Sequence, residues 1–280
     1  MQKRKEIKTL KKSNPNNNPI GIFDSGFGGL TVMSAINKVL PYENLIYFGD
    51  TAHVPYGNKS QNTIIKFSKD ITSFLIKNNV KLIVVACNTA SALALPVLEK
   101  TLKVPAIGVL APGAQVATNV SKKFRIGIIG TEGTIGSKSY PKAIKKLAKV
   151  KTYQQACPLF VPLVEEGLTY GKITDSIVKK YIKPLLAKNI DTLVLGCTHY
   201  PLLRKTLEKN LDKNIVLVDS AKSTALEVKR ILEQKSLLAS KSGKKYLKFY
   251  VSDNPEKFKK IGGRFFSKKI GNVTKIDLSD

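Results

Sequence analysis

The sequence predicts an α/β protein in which two similar halves each carry a mainly parallel sheet, with the functional site in the cleft between them. Short apolar runs rich in β-branched residues alternate along the chain with longer amphipathic stretches. Such alternation is typical of βαβ units, whose neighbouring strands run parallel. A weak internal repeat is the second observation, because it divides the chain into two halves with the same order of features.

Eight apolar runs are predicted as β-strands. They are Ile20–Phe23, Leu45–Phe48, Leu82–Ala86, Ala106–Leu110, Ile126–Ile129, Leu193–Leu195, Ile215–Val218 and Tyr246–Val251. Between them, Thr63–Lys77 and Thr174–Ala187 have the length and amphipathic character of helices that cover a sheet.

The repeat is clearest around two of the three cysteines. Val80–Thr89 matches Ile190–His199, so that Cys87 and Cys197, 110 residues apart (197 − 87), occupy the same point of each half. Each cysteine directly follows an apolar run and precedes a small polar residue that can cap a helix. Both halves are therefore expected to end a buried strand in a cysteine turn.

A second match, between Ile20–Gly26 and Ile126–Gly133, extends the repeat to the start of each half. We predict a first α/β domain of residues 19–111 plus 220–280 and a second of residues 112–219. The chain returns to the first domain because the first repeat alone is short and a further strand follows it.

Residues 1–18 differ in composition from the rest of the chain. They contain six basic residues, one acid and the run Asn16-Asn17-Asn18. Polar, charged composition of this kind cannot bury enough apolar surface to order itself. The segment is predicted to be a disordered basic tail.

The formal net charge of +27 raises the question of a nucleic-acid partner. Only five of the 47 basic residues are arginines, and the lysines are spread along the chain, whereas specific base and phosphate readout favours arginine. We expect nonspecific binding of polyanions at low salt but no specific nucleic-acid partner. No apolar run approaches the roughly 20 residues of a membrane helix, so no membrane association is expected.

The three cysteines are Cys87, Cys157 and Cys197. A sparse, odd set without close pairs favours a reducing cytoplasm over a disulfide framework. Cys157 lies in an apolar segment with no counterpart in the other half. It is expected to be buried and inert.

The matched positions of Cys87 and Cys197 point to chemistry at one shared cleft. Ligands of open parallel sheets bind beyond the carboxyl ends of the strands, and a helix N-terminus there favours thiolate over thiol. Either cysteine alone would be interpreted as a small buried hydrophobic residue. Two cysteines at equivalent positions favour a functional role. Two thiols on opposite sides of a cleft suit a reaction that needs a base on one face of a carbon and an acid on the other.

Two further residues are placed beside these thiols by their spacing. Asp24 opens the Gly-rich turn Asp24–Gly29, where it suits a substrate ammonium or a cysteine proton; a helix-capping aspartate is the alternative. His199 follows Cys197 by two residues and is one of two histidines. It can assist the neighbouring thiol; zinc binding is the alternative, although no Cys-x-x-Cys or His-rich companion is present.

Five motifs in register resemble the aspartate/glutamate racemase family, and within it the bacterial glutamate racemases. They are Asp24–Gly29, Phe48–Gly57, Ala86–Ala90, Val161–Gly167 and Leu195–Pro201. The resemblance covers residues 19 to about 220 and implies two α/β domains related by a pseudo-twofold axis.

The resemblance also assigns residues. Cys87 and Cys197 match the catalytic thiols, with Asp24 assisting the first and His199 the second. Substrate-binding positions carried over are Asp24, Ser25, Tyr56, Gly57, Asn88, Thr89, Thr198 and His199. A further catalytic acid is expected at Glu165 or Glu166; the sequence does not decide between them, and Glu166 is taken as the candidate.

The implied activity is interconversion of L- and D-glutamate by two-thiol proton transfer, with neither cofactor nor metal. It would supply D-glutamate for peptidoglycan, in the cytoplasm. Glutamate is the expected small-molecule partner, and a homodimer is left open. Aspartate racemase is the alternative within the enzyme class, and what would fix the substrate side chain is not evident. A thiol redox or metal-binding protein is the alternative outside it.

Overall fold

The computed structural model describes residues 15–241 and 245–278, and it contains two separate sheets of six and four strands. The first sheet is formed by β1 (Ile20–Asp24), β2 (Leu45–Gly49), β3 (Leu82–Val85), β4 (Ala106–Gly108), β9 (Leu247–Val251) and β10 (Val273–Lys275). The second is formed by β5 (Arg125–Gly130), β6 (Lys151–Ala156), β7 (Thr192–Gly196) and β8 (Val216–Val218).

The two sheets share one strand order. The first runs β10-β9-β2-β1-β3-β4 and the second β6-β5-β7-β8. Removing the two C-terminal strands from the first leaves β2-β1-β3-β4, in which each strand has a counterpart in the second. Every pairing between the described strands is parallel. The predicted fold class, two α/β halves with parallel sheets, is confirmed.

Twelve helices accompany the strands in the described residues. In chain order they are α1 (Leu30–Val39), α2 (Gln61–Lys77), α3 (Asn88–Leu93), α4 (Leu95–Thr101), α5 (Leu110–Val120), α6 (Glu132–Gly136), α7 (Ser139–Leu147), α8 (Phe160–Glu165), α9 (Lys172–Leu186), α10 (Arg204–Asn210), α11 (Ala221–Gln234) and α12 (Pro255–Phe266). None of those helices has both the length and the apolar character needed to cross a membrane.

Both faces of the first sheet are covered. Ile20 and Ile22 of β1 pack with Met33 and Ile36 of α1 on one face. On the other face, Phe23 and the alternate residues of the neighbouring strands pack with α2 and α4. Burial on both faces explains why these strands read as continuous apolar runs, as is usual for parallel sheets.

Two strands had no signal in the sequence. β6 reads Lys-Thr-Tyr-Gln-Gln-Ala and is partly exposed along its whole length, and β10 is only three residues long. Both lie at an edge of their sheets. An edge strand with few buried side chains needs no apolar run.

The C-terminal strands join the first sheet, with β9 pairing to β2. This is the return of the chain that the division into domains requires. The domain boundaries and the pseudo-twofold axis remain predictions.

The predicted disordered tail, residues 1–18, includes four residues that belong to the folded part of the chain. Pro15–Asn17 forms a 3-10 helix, whose Asn17 carbonyl accepts a 2.8 Å hydrogen bond from Asn44. The Asn16 carbonyl accepts a 2.5 Å bond from the ammonium of Lys81. Residues 15–18 are therefore part of the fold, and the rest of the predicted tail lies outside the described residues.

A buried ion pair holds this end of the molecule together. Lys81 Nζ lies 2.5 Å from Glu43 Oε2, and both side chains are only 2% exposed. The same ammonium donates to the Leu237 carbonyl at 2.8 Å, and Glu43 accepts from the backbone amide of Ala239 at 2.8 Å. Burial lowers the pKa of Lys81, and Glu43 opposes that effect.

Replacing Lys81 by Met should destabilise the protein by about 3–5 kcal/mol, because it leaves the Glu43 carboxylate buried and unpaired. Urea denaturation measures the change. Lys209→Met is the matched control: it removes a 2.6 Å pair with Asp175 in which the lysine is 68% exposed, and solvent screening should leave the midpoint nearly unchanged. Equal losses in the two variants would show that the buried pair does not anchor the fold.

Candidate active site

The two matched cysteines follow equivalent interior strands of their sheets. Cys87 follows β3 and caps α3, accepting a hydrogen bond from the Ala90 amide at 3.5 Å; its thiol also lies 3.7 Å from the Ser25 hydroxyl. Cys197 follows β7, with its sulfur 3.9 Å from His199 Nδ1. The two residues are 5% and 7% exposed, so both are nearly closed off from solvent.

Asp24 lies where the first sheet meets the second cysteine turn. The Gly26 amide donates to Asp24 Oδ2 at 3.0 Å, and the Thr198 hydroxyl donates to Oδ1 at 3.4 Å across the two halves. Burial raises the pKa of Asp24, an effect that His199 and these donors oppose. The turn therefore holds a carboxylate in contact with both halves of the protein.

Glycines in the first Gly-rich turn keep both the turn and the contact between the halves tight. A Cβ at Gly28 would lie 2.2 Å from Thr198 Oγ1 and 2.7 Å from His199 Nδ1 in the second half. Within the turn itself, a Cβ at Gly29 would lie 2.6 Å from Asp24 Cβ. Contacts that short do not occur between real atoms, so the site closes only because these side chains are absent.

The two sulfurs have opposite electrostatic surroundings. Burial and the Asp24 charge raise the pKa of Cys87 to about 12, with Cys197 adding to the rise and the Ala90 and Ser25 hydrogen bonds opposing it. Burial lowers the pKa of His199, but its bonds to Cys197 and Glu165 outweigh that and raise the value to about 10. Cys87 therefore lies beside the Asp24 carboxyl, which disfavours the thiolate, whereas Cys197 lies beside the His199 imidazole.

Glu165, and not Glu166, is the member of the acidic pair that contacts the site. His199 Nε2 lies 3.1 Å from Glu165 Oε1, whereas Glu166 is exposed. Helix α8 ends here because Gly167 takes a φ of +80°, a conformation that favours glycine. This contact favours Glu165 over Glu166, and the catalytic role of the acid remains a prediction; two adjacent acids carry no sequence signal for which one faces inward.

The other expected binding residues meet at the same junction. Thr89 Oγ1 lies 2.9 Å from Thr131 Oγ1 and 3.2 Å from Thr134 Oγ1, and a Cβ at Gly57 would lie 2.6 Å from Thr131 Cβ. Tyr56 donates a 2.5 Å hydrogen bond to the buried carboxylate of Asp50. The loop that carries these two residues is thus anchored by the bond from Tyr56 to Asp50, and at Gly57 it packs against Thr131 of the second half.

Thr131 and Thr134 were missed in the sequence. Thr131 caps α6 by accepting from the Thr134 amide at 3.2 Å, and both are buried. The repeat contained the signal, because the alignment that pairs Ile20 with Ile126 also pairs Ser25 with Thr131. Cys157 is fully buried, as predicted.

The sequence profile of the Asp/Glu/Hydantoin racemase family matches residues 20–228. The chain belongs to this family. A curated relative, the glutamate racemase of Geobacter metallireducens, is 49% identical over 260 residues, which is 92% of this chain and 96% of that protein. The glutamate racemase of Chlorobaculum tepidum is 46% identical and covers 94% of this chain and 97% of that protein.

Solved racemase structures agree with the fold. Glutamate racemase from Francisella tularensis, determined in complex with D-glutamate, superposes with a TM-score of 0.89 at 37% identity, covering 94% of this chain and 99% of that one. The Bacillus anthracis glutamate racemase gives 0.90 at 40% identity, covering 94% and 98%. The protein is a racemase, and hence an isomerase.

Removing the Glu165 charge should lower the pKa of His199 from about 10, because that carboxylate stabilises the imidazolium. NMR titration of histidine-labelled protein measures this directly, since the chain has only two histidines. Glu165→Gln should shift one histidine signal and Glu166→Gln neither. A shift of equal size in Glu166→Gln would overturn the assignment to Glu165.

Proposed function

We propose that this racemase interconverts L- and D-glutamate by moving protons between Cα and two cysteines, Cys87 and Cys197. The observation that carries the proposal is the pair of matched strand-end turns, which supply two thiols with opposite charged neighbours. Inversion of a stereocentre needs one group to remove a proton while another delivers one to the opposite face, and the two thiols supply these roles without a cofactor.

Each conversion conserves protons and exchanges the protonation states of the two cysteines. The Cys197 thiolate, with His199 beside it, takes the Cα proton and becomes a thiol, while the Cys87 thiol gives its proton to the opposite face and becomes a thiolate. This form of the enzyme acts on the other enantiomer, so a proton must pass from Cys197 back to Cys87 before the same enantiomer can react again. Ser25 and the Ala90 amide stabilise the negative charge on Cys87. Asp24 assists Cys87, and the Glu165–His199 pair assists Cys197.

Polar groups around the thiols suit the two carboxylates of glutamate. Donors at Ser25, Asn88, Thr89 and Thr198 surround the reacting carbon, and backbone amides at the strand-end turns add to them. The hydroxyls of Thr131 and Thr134, together with the Tyr56–Gly57 turn, are candidates to receive the side-chain carboxylate. The nearly closed site strengthens each of these interactions.

Glutamate is favoured over aspartate by the relatives. The glutamate racemases described above share 37–49% of their residues with this chain. An aspartate racemase from Picrophilus torridus shares 18% and superposes with a TM-score of 0.57, which indicates the fold alone. We further propose that the enzyme is cytoplasmic and provides D-glutamate for peptidoglycan. A homodimer is the candidate assembly.

Incubation in D₂O tests the reaction and the substrate together. The protein should exchange the Cα hydrogen of both L- and D-glutamate for deuterium, detected by mass spectrometry, and should convert each into the racemate. Aspartate should exchange far more slowly. Preferential exchange into aspartate would reassign the substrate, and no exchange into either would overturn the proposed reaction.

Replacing the cysteines one at a time separates their roles. Cys87→Ser and Cys197→Ser should each lower racemisation by roughly 10²–10⁴-fold, the usual contribution of a positioned acid or base. A glutamate analogue with a leaving group on Cβ needs only one base for elimination. Each variant should therefore still eliminate the leaving group from one enantiomer of the analogue but not from the other. The two variants should act on opposite enantiomers.

Cys157→Ser is the matched control, because that thiol is fully buried and bonds to the Gln155 carbonyl at 3.7 Å. It should racemise normally. If both active-site variants lost elimination with both enantiomers equally, one thiol could not be assigned to each face.

A further inference from the structure

Tyr140 lies on α7 in the second half of the molecule, yet its hydroxyl reaches the first cysteine turn. It donates a 2.7 Å hydrogen bond to Asn88 Oδ1, and Asn88 directly follows Cys87. The tyrosine is 1% exposed. A buried hydroxyl from one half therefore holds the amide that begins α3 in the other.

The other end of that amide has no partner. Asn88 is 2% exposed, and its Nδ2 makes no hydrogen bond within the residues that the structure describes. A buried amide NH₂ without an acceptor is costly, so its retention beside a reactive thiol indicates an acceptor that arrives with the substrate. With Oδ1 held by Tyr140, only the NH₂ group remains to meet it.

Two glycines leave room for the ring and hydroxyl of Tyr140. A Cβ at Gly196, the residue before Cys197, would lie 3.2 Å from Tyr140 Cε2, and a Cβ at Gly113 would lie 3.2 Å from the hydroxyl. The ring therefore packs against the strand end that carries one thiol while its hydroxyl bonds next to the other. Burial, with Cys197 and Asp219 adding to it, raises the pKa of Tyr140 well above its ordinary value, so the phenol keeps the proton it donates.

We propose that Tyr140 is a positioning residue that fixes the amide of Asn88 so that its NH₂ group faces the substrate carboxylate. An asparagine amide has nearly the same shape after a half-turn. Rotated in that way, it would present oxygen to a carboxylate and repel it. The phenol donates to the oxygen, and this bond selects the orientation that binds. This inference rests on the proposed function, since it assigns the orientation of a group that meets glutamate.

Tyr140→Phe keeps the ring and removes only the hydroxyl. The KM for glutamate should rise by about threefold to tenfold, the usual effect of one neutral hydrogen bond, with kcat much less affected. Asn88→Ala should raise KM at least as much. In an Asn88→Ala background, adding Tyr140→Phe should change KM no further, because the group that the tyrosine orients is already gone.

Tyr200→Phe is the matched control. Tyr200 is another fully buried tyrosine of the second half, and its hydroxyl bonds to the Cys157 carbonyl at 3.0 Å, away from Asn88. It should lose stability like Tyr140→Phe without the rise in KM. Thermal unfolding of all variants, measured alongside the kinetics, separates the two effects.

The outcomes are distinct. A rise in KM that vanishes in the Asn88→Ala background supports the inference. An unchanged KM in Tyr140→Phe, or independent effects of the two substitutions, overturns it while leaving the racemase assignment intact. Failure of the wild-type protein to racemise glutamate would instead overturn the proposed function.

Discussion

The closed contact between the carboxyl ends of the two sheets is the constraint on which the site depends. Asp24 from the first half meets Thr198 from the second at 3.4 Å, and Thr89 meets Thr131 at 2.9 Å. All four of these residues are buried, so charges at this junction act at a low effective dielectric. Burying each ionisable group costs free energy, and the same burial shifts its pKa.

A repeated fold solves one part of this chemistry and leaves another to be settled locally. The shared strand order places a cysteine at the same point in each half, which provides the two similar acids that the proposed reaction needs on two faces of one carbon. The neighbours are not repeated: burial and Asp24 raise the pKa of Cys87, while the Glu165–His199 pair lies beside Cys197. The repeat sets where the two thiols are, and the unrepeated side chains give each thiol different surroundings.

Features with a regular pattern could be predicted from the sequence, and features settled by single contacts could not. Buried central strands such as β1 and β3 appear as apolar runs because both of their faces are covered. The edge strand β6 has no such run, because its side chains are partly exposed. At the site, strand-end residues such as Cys87 and Cys197 were found through the repeat, whereas Glu165 and Tyr140 depend on where a helix ends and how two halves meet.

The glycines of the first turn limit which residues this part of the chain can accept. Gly28 admits Thr198 Oγ1 and His199 Nδ1 at distances that a single methyl group would forbid. Any other residue at this position would push the second cysteine turn away from the first and lengthen the contact between Thr198 and Asp24. Water would then reach charges that now interact at a low effective dielectric, and each of those interactions would weaken. A substitution that touches neither thiol would therefore change the surroundings of both.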